Sequence, residues 1–186
     1  MRLLVTREDY FAAAMKLLAT KGAGKLKIAP LCKALGVTTG SFYGYFGSFD
    51  GFVTDFLKYW EDTQTERIVQ LSNVPPDPAD RVRQLKKLGA RLPHEAEAAI
   101  RSWAHTNPAV EEVQKRVDER RQQALTEVFA PIVGSKREAS KLAVIGMTML
   151  VGLQQWRSPV TTRDYNLLFD ELERMVLRRV TDRAVS

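Results

Sequence analysis

The chain has 186 residues, 45% hydrophobic and 27% charged, a balance that excludes a disordered polymer and allows an ample core. One cysteine, Cys32, excludes an intramolecular disulfide, and with only two distant histidines it excludes a structural zinc site. The net charge of +6 points to an anionic partner, and positions 1–50 hold seven Lys/Arg against three acidic residues, although a solvated basic surface fits that asymmetry too.

In chain order, the start Met1-Arg-Leu-Leu-Val-Thr6 has no apolar run of signal-peptide length, so a cytoplasmic protein is expected. Thr6-x-x-Asp9 predicts a helix start, with Phe11, Ala14, Met15 and Leu18 on one face and Gly22 and Gly24 as the stop. A short helix follows over Ile28 to Leu35, with Pro30 in its first turn. Gly36-Val37 makes a turn, and Thr38 caps a third helix reaching Phe46. After Gly47, Ser48 caps a long fourth helix with Phe52, Phe56, Leu57 and Trp60 on its apolar side, ending near Ser72.

Asn73-Val-Pro-Pro-Asp-Pro78 is the one clear linker, because three prolines in four residues cannot continue a helix. Beyond it, helices are predicted at 79–91, 93–106, 108–130, 136–157 and 162–181, the fourth opened by the capping box Ser135-x-x-Glu138 and the last capped by Thr162. The longest apolar run, Leu142 to Leu153, is interrupted by Thr148 and is too short for a membrane span, which takes roughly 18 or more residues. The expected fold is all-α with about nine helices. A three-helix head over 1–48 is joined by a connecting helix over 49–72 to a helical bundle over 73–186.

Two short helices on either side of Gly36-Val37 form a helix-turn-helix. Burial of Leu31, Cys32, Leu35, Phe42 and Phe46 leaves Thr39, Gly40, Ser41, Tyr43, Gly44 and Tyr45 on or beside the open face. Small hydroxyls, methyls and tyrosines without acids suit a DNA major groove, while plain turn composition is the competing account. Two glycines in so short a helix cost about 1 kcal/mol each relative to alanine.

The stretch Leu26 to Phe52 resembles the DNA-binding region of the TetR family, with Gly36, Val37, Thr38, Gly40, Tyr43, Tyr45 and Phe46 in register. The resemblance implies DNA contacts from Thr39, Gly40, Ser41, Tyr43 and Tyr45, and backbone contacts from Lys27 and Thr38. It departs from the family at Phe49, where a phosphate-pairing lysine is common. Gly44 stands where a bulkier side chain is frequent, and Lys27 and Ala29 stand where Thr and Arg are usual. Either operator affinity is modest, or Lys25 and Lys27 supply the missing phosphate contacts.

The resemblance also implies a divergent C-terminal ligand-binding and dimerisation domain. Trp60, Trp103, Phe129, Met147, Met149 and Trp156 are the candidate cavity residues, although such residues at helical spacing also describe ordinary core. His94 and His105 are candidate polar anchors. The last two helices are the candidate dimer interface, through Ala139, Ala143, Gly146, Leu150, Leu168, Leu172 and Met175, although a core of the monomer on both faces fits the same pattern. A ligand-released repressor acting as a homodimer on a palindromic operator is therefore expected, without cofactor or metal and away from membranes. Two other accounts stay open. One is an interaction module with a vestigial head. The other is an enzyme, for which no catalytic constellation stands at interpretable spacing.

Overall fold

The computed structural model describes residues 5–184, with side chains through Arg178, and contains helices and no strand among them. In chain order they are α1 (Arg7–Lys21), a 3-10 turn (Ala23–Lys25), α2 (Ile28–Leu35), α3 (Thr39–Phe46) and α4 (Phe49–Glu61). A π-helical turn (Asp62–Glu66) leads to α5 (Arg67–Ser72), followed by α6 (Pro78–Gly89), α7 (His94–Ala104), α8 (Pro108–Val133), α9 (Lys136–Trp156) and α10 (Thr162–Ala184). No helix among the described residues is long and apolar enough to cross a membrane.

Local chemistry sets most boundaries. Thr6 and Asp9 form a reciprocal capping box, with the Asp9 N–H donating to Thr6 Oγ1 at 3.2 Å and the Thr6 N–H to Asp9 Oδ2 at 2.7 Å. Tyr10, Phe11, Ala14, Leu17 and Leu18 form the buried face of α1, and Met15, expected there, is only half-buried. Asp77 caps α6, which starts at Pro78, one residue before the predicted start. Helix α8 outruns its predicted end and carries Pro131 in its last turn before Gly134 stops it. The last helix is capped by Thr161 rather than Thr162. Asp164 stands three residues after Thr161, and the two side chains serve each other's backbone N–H at 3.1 and 3.2 Å.

The predicted fourth helix over 49–72 is present as α4, the π turn and α5. The wide turn carries Thr65 inward to 1% exposure, where its hydroxyl accepts from Arg121 Nε at 3.1 Å.

The chain packs as two units, Met1–Glu61 with Pro93–Gln114, and Asp62–Leu92 with Lys115–Ser186. In the first, α1 packs against α2 and along α7, an association that local sequence patterning does not announce. Its interior is aromatic, with Tyr10, Phe42, Phe52 and Phe56 each at 0% exposure. In the second, Val82, Phe129, Leu142, Leu153, Phe169 and Val176 belong to one core cluster.

Helices α6 and α10 of the second unit are joined by polar contacts as well as apolar ones. Lys86 Nζ pairs with Asp170 at 2.8 Å and with Glu173. Burial opposes its charge, but the two carboxylates outweigh that and hold its pKa above the ordinary value. One turn on, Gly89 leaves room for Tyr165, whose hydroxyl would lie 2.3 Å from a Cβ built there. Gly89→Ala is therefore expected to cost about 1–3 kcal/mol by overpacking, and less in a Tyr165→Phe background. Chemical denaturation of the four proteins of this cycle checks the coupling, and strictly additive effects would contradict the contact.

Candidate functional site

The turn between α2 and α3 is set by Gly36 at φ 65°, ψ 31°. The Val37 N–H reaches the Cys32 carbonyl at 3.0 Å and the Gly36 N–H the Lys33 carbonyl at 3.4 Å, closing the end of α2 in a left-handed cap. Thr38 then starts α3 by accepting from the Ser41 N–H at 3.3 Å. Cys32 lies beneath the turn, and its burial pushes the thiol pKa up, so it remains a neutral packing group.

Phe42 and Phe46 anchor α3. Their rings lie 5.8 and 5.3 Å from Tyr10, and 5.4 and 5.1 Å from Phe52. The opposite side of the helix is open: Thr38, Thr39, Gly40 and Gly44 are exposed, and Tyr43 is 52% exposed. Lys27, the residue preceding α2, is exposed beside Lys25.

Two of the expected contact residues have work inside the head. The Ser41 hydroxyl lies 3.2 Å from the Tyr10 hydroxyl, and the Tyr45 hydroxyl donates to the Val5 carbonyl at 2.6 Å. Both residues are half-buried, and they tie the open helix to α1 and to the chain preceding it. Arg7 adds a third tie that sequence reading passes over. It pairs with Asp55 at 2.7 Å, donates to the Tyr45 carbonyl, and holds its guanidinium 5.2 Å from the Phe46 ring centre. A single arginine in a helix's first turn carries no signature of such a role. Phe49, at the position where the family commonly has lysine, packs against Phe52 with ring centres 5.9 Å apart.

The glycines of α3 have no internal cause. A Cβ at Gly44 would meet nothing within 4 Å, and one at Gly40 only Thr38 Oγ1 at an ordinary 3.7 Å. Neither has positive φ. Their effect is to leave the helix backbone bare on its open side.

The second unit contains a cavity of about 80 Å³. Its walls include Ile68, Val82, Leu85, Phe129, Leu150 and Phe169, with polar groups from Gln64, Thr65, Lys86, Arg121 and Glu173. Of the six candidate cavity residues, Phe129 and Met147 line it. Met149 packs against the adjoining core. Trp60 and Trp103 belong to the first unit, and Trp156 is 73% exposed beneath the Arg157 guanidinium. His94 is buried in the first unit and His105 is exposed. The charged lining residues escape sequence reading because each stands among other charges on an amphipathic helix.

The residues expected at a subunit interface face inward. Ala139, Ala143, Gly146, Leu150 and Leu172 are buried, and Leu168 and Met175 are partly buried against the unit's own core. The small side chains have an intrachain purpose, since a Cβ on Gly146 would lie 2.9 Å from Leu172 Cδ2. Helix α9 instead turns Val144, Ile145, Thr148, Gly152 and Trp156 outward, and α10 exposes Leu167.

Comparison with known proteins agrees with this geometry. Residues 11–54 match the family model of bacterial regulatory proteins, tetR family. Comparison with curated protein sequences gives no match. Among solved structures, a transcriptional regulator from Rhodococcus sp. Rha1 superposes with a TM-score of 0.77 at 19% identity, covering 94% of this chain and 97% of that one. A TetR transcriptional regulator from Legionella pneumophila gives 0.74 at 14% identity, over 95% and 97% of the two chains. One from Haloarcula marismortui gives 0.70 at 18%, over 95% and 96%. Such identities speak to the fold.

If the open side of α3 has no structural need for glycine, Gly44→Ala should stabilise the protein by about 0.5–1 kcal/mol. Thermal melting of the variant checks this, and a lowered midpoint would mean that the position is constrained from within.

Proposed function

We propose that this chain, whose residues 11–54 match the family model of bacterial regulatory proteins, tetR family, is a TetR-type regulator: a cytoplasmic homodimeric repressor released from a palindromic operator by a small-molecule effector. In this reading residues 1–48 bind DNA, 49–72 connect, and 73–186 bind the effector and dimerise. The observation that carries the reading is the free face of α3: polar, without acids, bare at two glycines, and backed by a rigid aromatic core.

Insertion of α3 into a major groove gives each residue a role. Tyr43 and Thr39 reach base edges and thymine methyls, and Gly40 and Gly44 let the helix backbone approach closely. Thr38 and Lys27 meet phosphates at the two helix starts. Ser41 and Tyr45 contribute from the rim, where their hydroxyls also position the helix. The exposed lysines of the head replace the phosphate contact that Phe49 cannot make.

Selection from a pool of random duplexes should enrich a palindromic site, and failure to enrich any sequence at low salt would end the reading. With that site in hand, Tyr43→Ala should lose about 1–3 kcal/mol of discrimination, and equal losses on specific and random DNA would remove Tyr43 from base contact. Lys27→Ala should instead weaken binding to all sequences and reduce the salt slope by about one.

Dimerisation through α9 and α10 places the outward residues Val144, Ile145, Trp156 and Leu167 against their copies across a two-fold axis, with the inward small residues as the rigid backing. Ile145→Glu is expected to yield a folded monomer in sedimentation velocity at micromolar concentration. A dimer of unchanged affinity would move the interface elsewhere. The cavity of the second unit serves as the effector site, coupled to the head through the continuous run of α4, the π turn and α5.

A further inference from the structure

We propose that Tyr10, buried beneath α3, is a positioning residue for DNA recognition: its hydroxyl donates to Ser41 Oγ and so commits the Ser41 hydroxyl to donate to an acceptor atom on the duplex. This rests on the reading of α3 as the DNA-contacting helix, and goes beyond it by assigning the direction of one contact and the interior residue that sets it.

The direction follows from which of the two hydroxyls can reach the outside. Tyr10 is at 0% exposure, and among the described residues its hydroxyl has one hydrogen-bond partner, Ser41 Oγ at 3.2 Å. Each hydroxyl has one proton to donate and lone pairs to accept with. If Ser41 were the donor, the Tyr10 proton would be sealed beside the Phe42 and Phe46 rings with nothing to accept it. A buried donor left in that state costs its full desolvation. With Tyr10 as the donor neither group is orphaned, because Ser41 is only half-buried and its own proton can point outward.

The Ser41 proton also has no destination within the chain. Helical hydroxyls elsewhere turn back onto the carbonyl four residues earlier: Thr20 to Lys16 at 2.7 Å, Thr54 to Asp50 at 3.0 Å, Ser102 to Ala98 at 3.1 Å and Thr148 to Val144 at 2.8 Å. Ser41 makes no such bond among the described residues, and its Oγ is turned to Tyr10 instead. It stands in the first turn of α3, next to the exposed Thr38, Thr39 and Gly40. A hydroxyl that accepts one hydrogen bond is polarised to donate the next more strongly. Ser41 is thus set for phosphate oxygens or for the N7, O6 and O4 acceptors of base edges, and against the amino groups of adenine and cytosine.

The test is a double-mutant cycle of Tyr10→Phe and Ser41→Ala in the full chain, at a temperature where melting curves show every variant folded. Binding is read by fluorescence anisotropy at low salt, on a duplex selected from a random pool and on a random-sequence duplex. On the selected duplex Ser41→Ala should weaken binding by about fivefold and Tyr10→Phe by about threefold, and the two together by no more than Ser41→Ala alone. Ser41→Thr keeps the hydroxyl and should keep the dependence on Tyr10. A tyrosine that only supports packing would give losses that multiply, since its effect would not pass through the serine. The same coupling on both duplexes puts the acceptor on a phosphate, and coupling on the selected duplex alone puts it on a base edge. Either result supports the assignment.

Wild-type affinity in Tyr10→Phe, or a threefold loss that persists in the Ser41→Ala background, overturns it while leaving α3 as the DNA-contacting helix. If the wild type binds neither duplex, the reading of α3 falls and the role of Tyr10 with it.

Discussion

Packing of the aromatic core against one short helix is the constraint on which everything else depends. Helix α3 has eight residues, two of them glycine, and a segment of that length and composition has almost no helical stability of its own in water. It exists because Phe42 and Phe46 are buried among Tyr10, Phe11 and Phe52, each burial contributing about 1.5–3 kcal/mol. Edge-on contacts between these rings add orientation to stability. The helix is thus held by one side only, and its other side is free to be whatever a partner requires.

That division explains the polar bonds of the head. Tyr10, Tyr45 and Arg7 each span from α3 to the chain that precedes or underlies it, through Ser41, the Val5 carbonyl and the Tyr45 carbonyl. The Arg7–Asp55 pair is more than a third exposed on both sides, so its contribution to stability is small in water. Its value is directional, because it fixes the first turn of α1 against α4. Phe49 follows the same logic. A phosphate-binding lysine at its position would face solvent, whereas the phenyl ring extends the aromatic core to the start of α4.

The second unit uses small residues and charges differently. Ala139, Ala143 and Gly146 let α9 approach its neighbours closely, and Gly89 admits the Tyr165 hydroxyl against α6. Burial raises the Tyr165 pKa, so the phenol stays neutral within an apolar wall. The close contacts leave a small cavity where α6, α8, α9 and α10 diverge, with Arg121 reaching across it to the π turn.

How much of this was legible in the sequence divides along physical lines. Helix starts, the Gly36 turn, the linker prolines and the exposed face of α3 were all readable, because caps, turns and helical periodicity are set by residues three or four apart. The family resemblance lay in that same short stretch. The sequence by itself also determined that the chain is all-helical and that Phe42 and Phe46 lie opposite Tyr43. The tertiary structure alone decided that α7 packs on α1, that Gly146 faces Leu172, and that Arg121 meets Thr65 from 56 residues away. A helix apolar on two sides does not say which side its own chain will cover. That choice is made by contacts between residues far apart in sequence, whose partners no local pattern encodes.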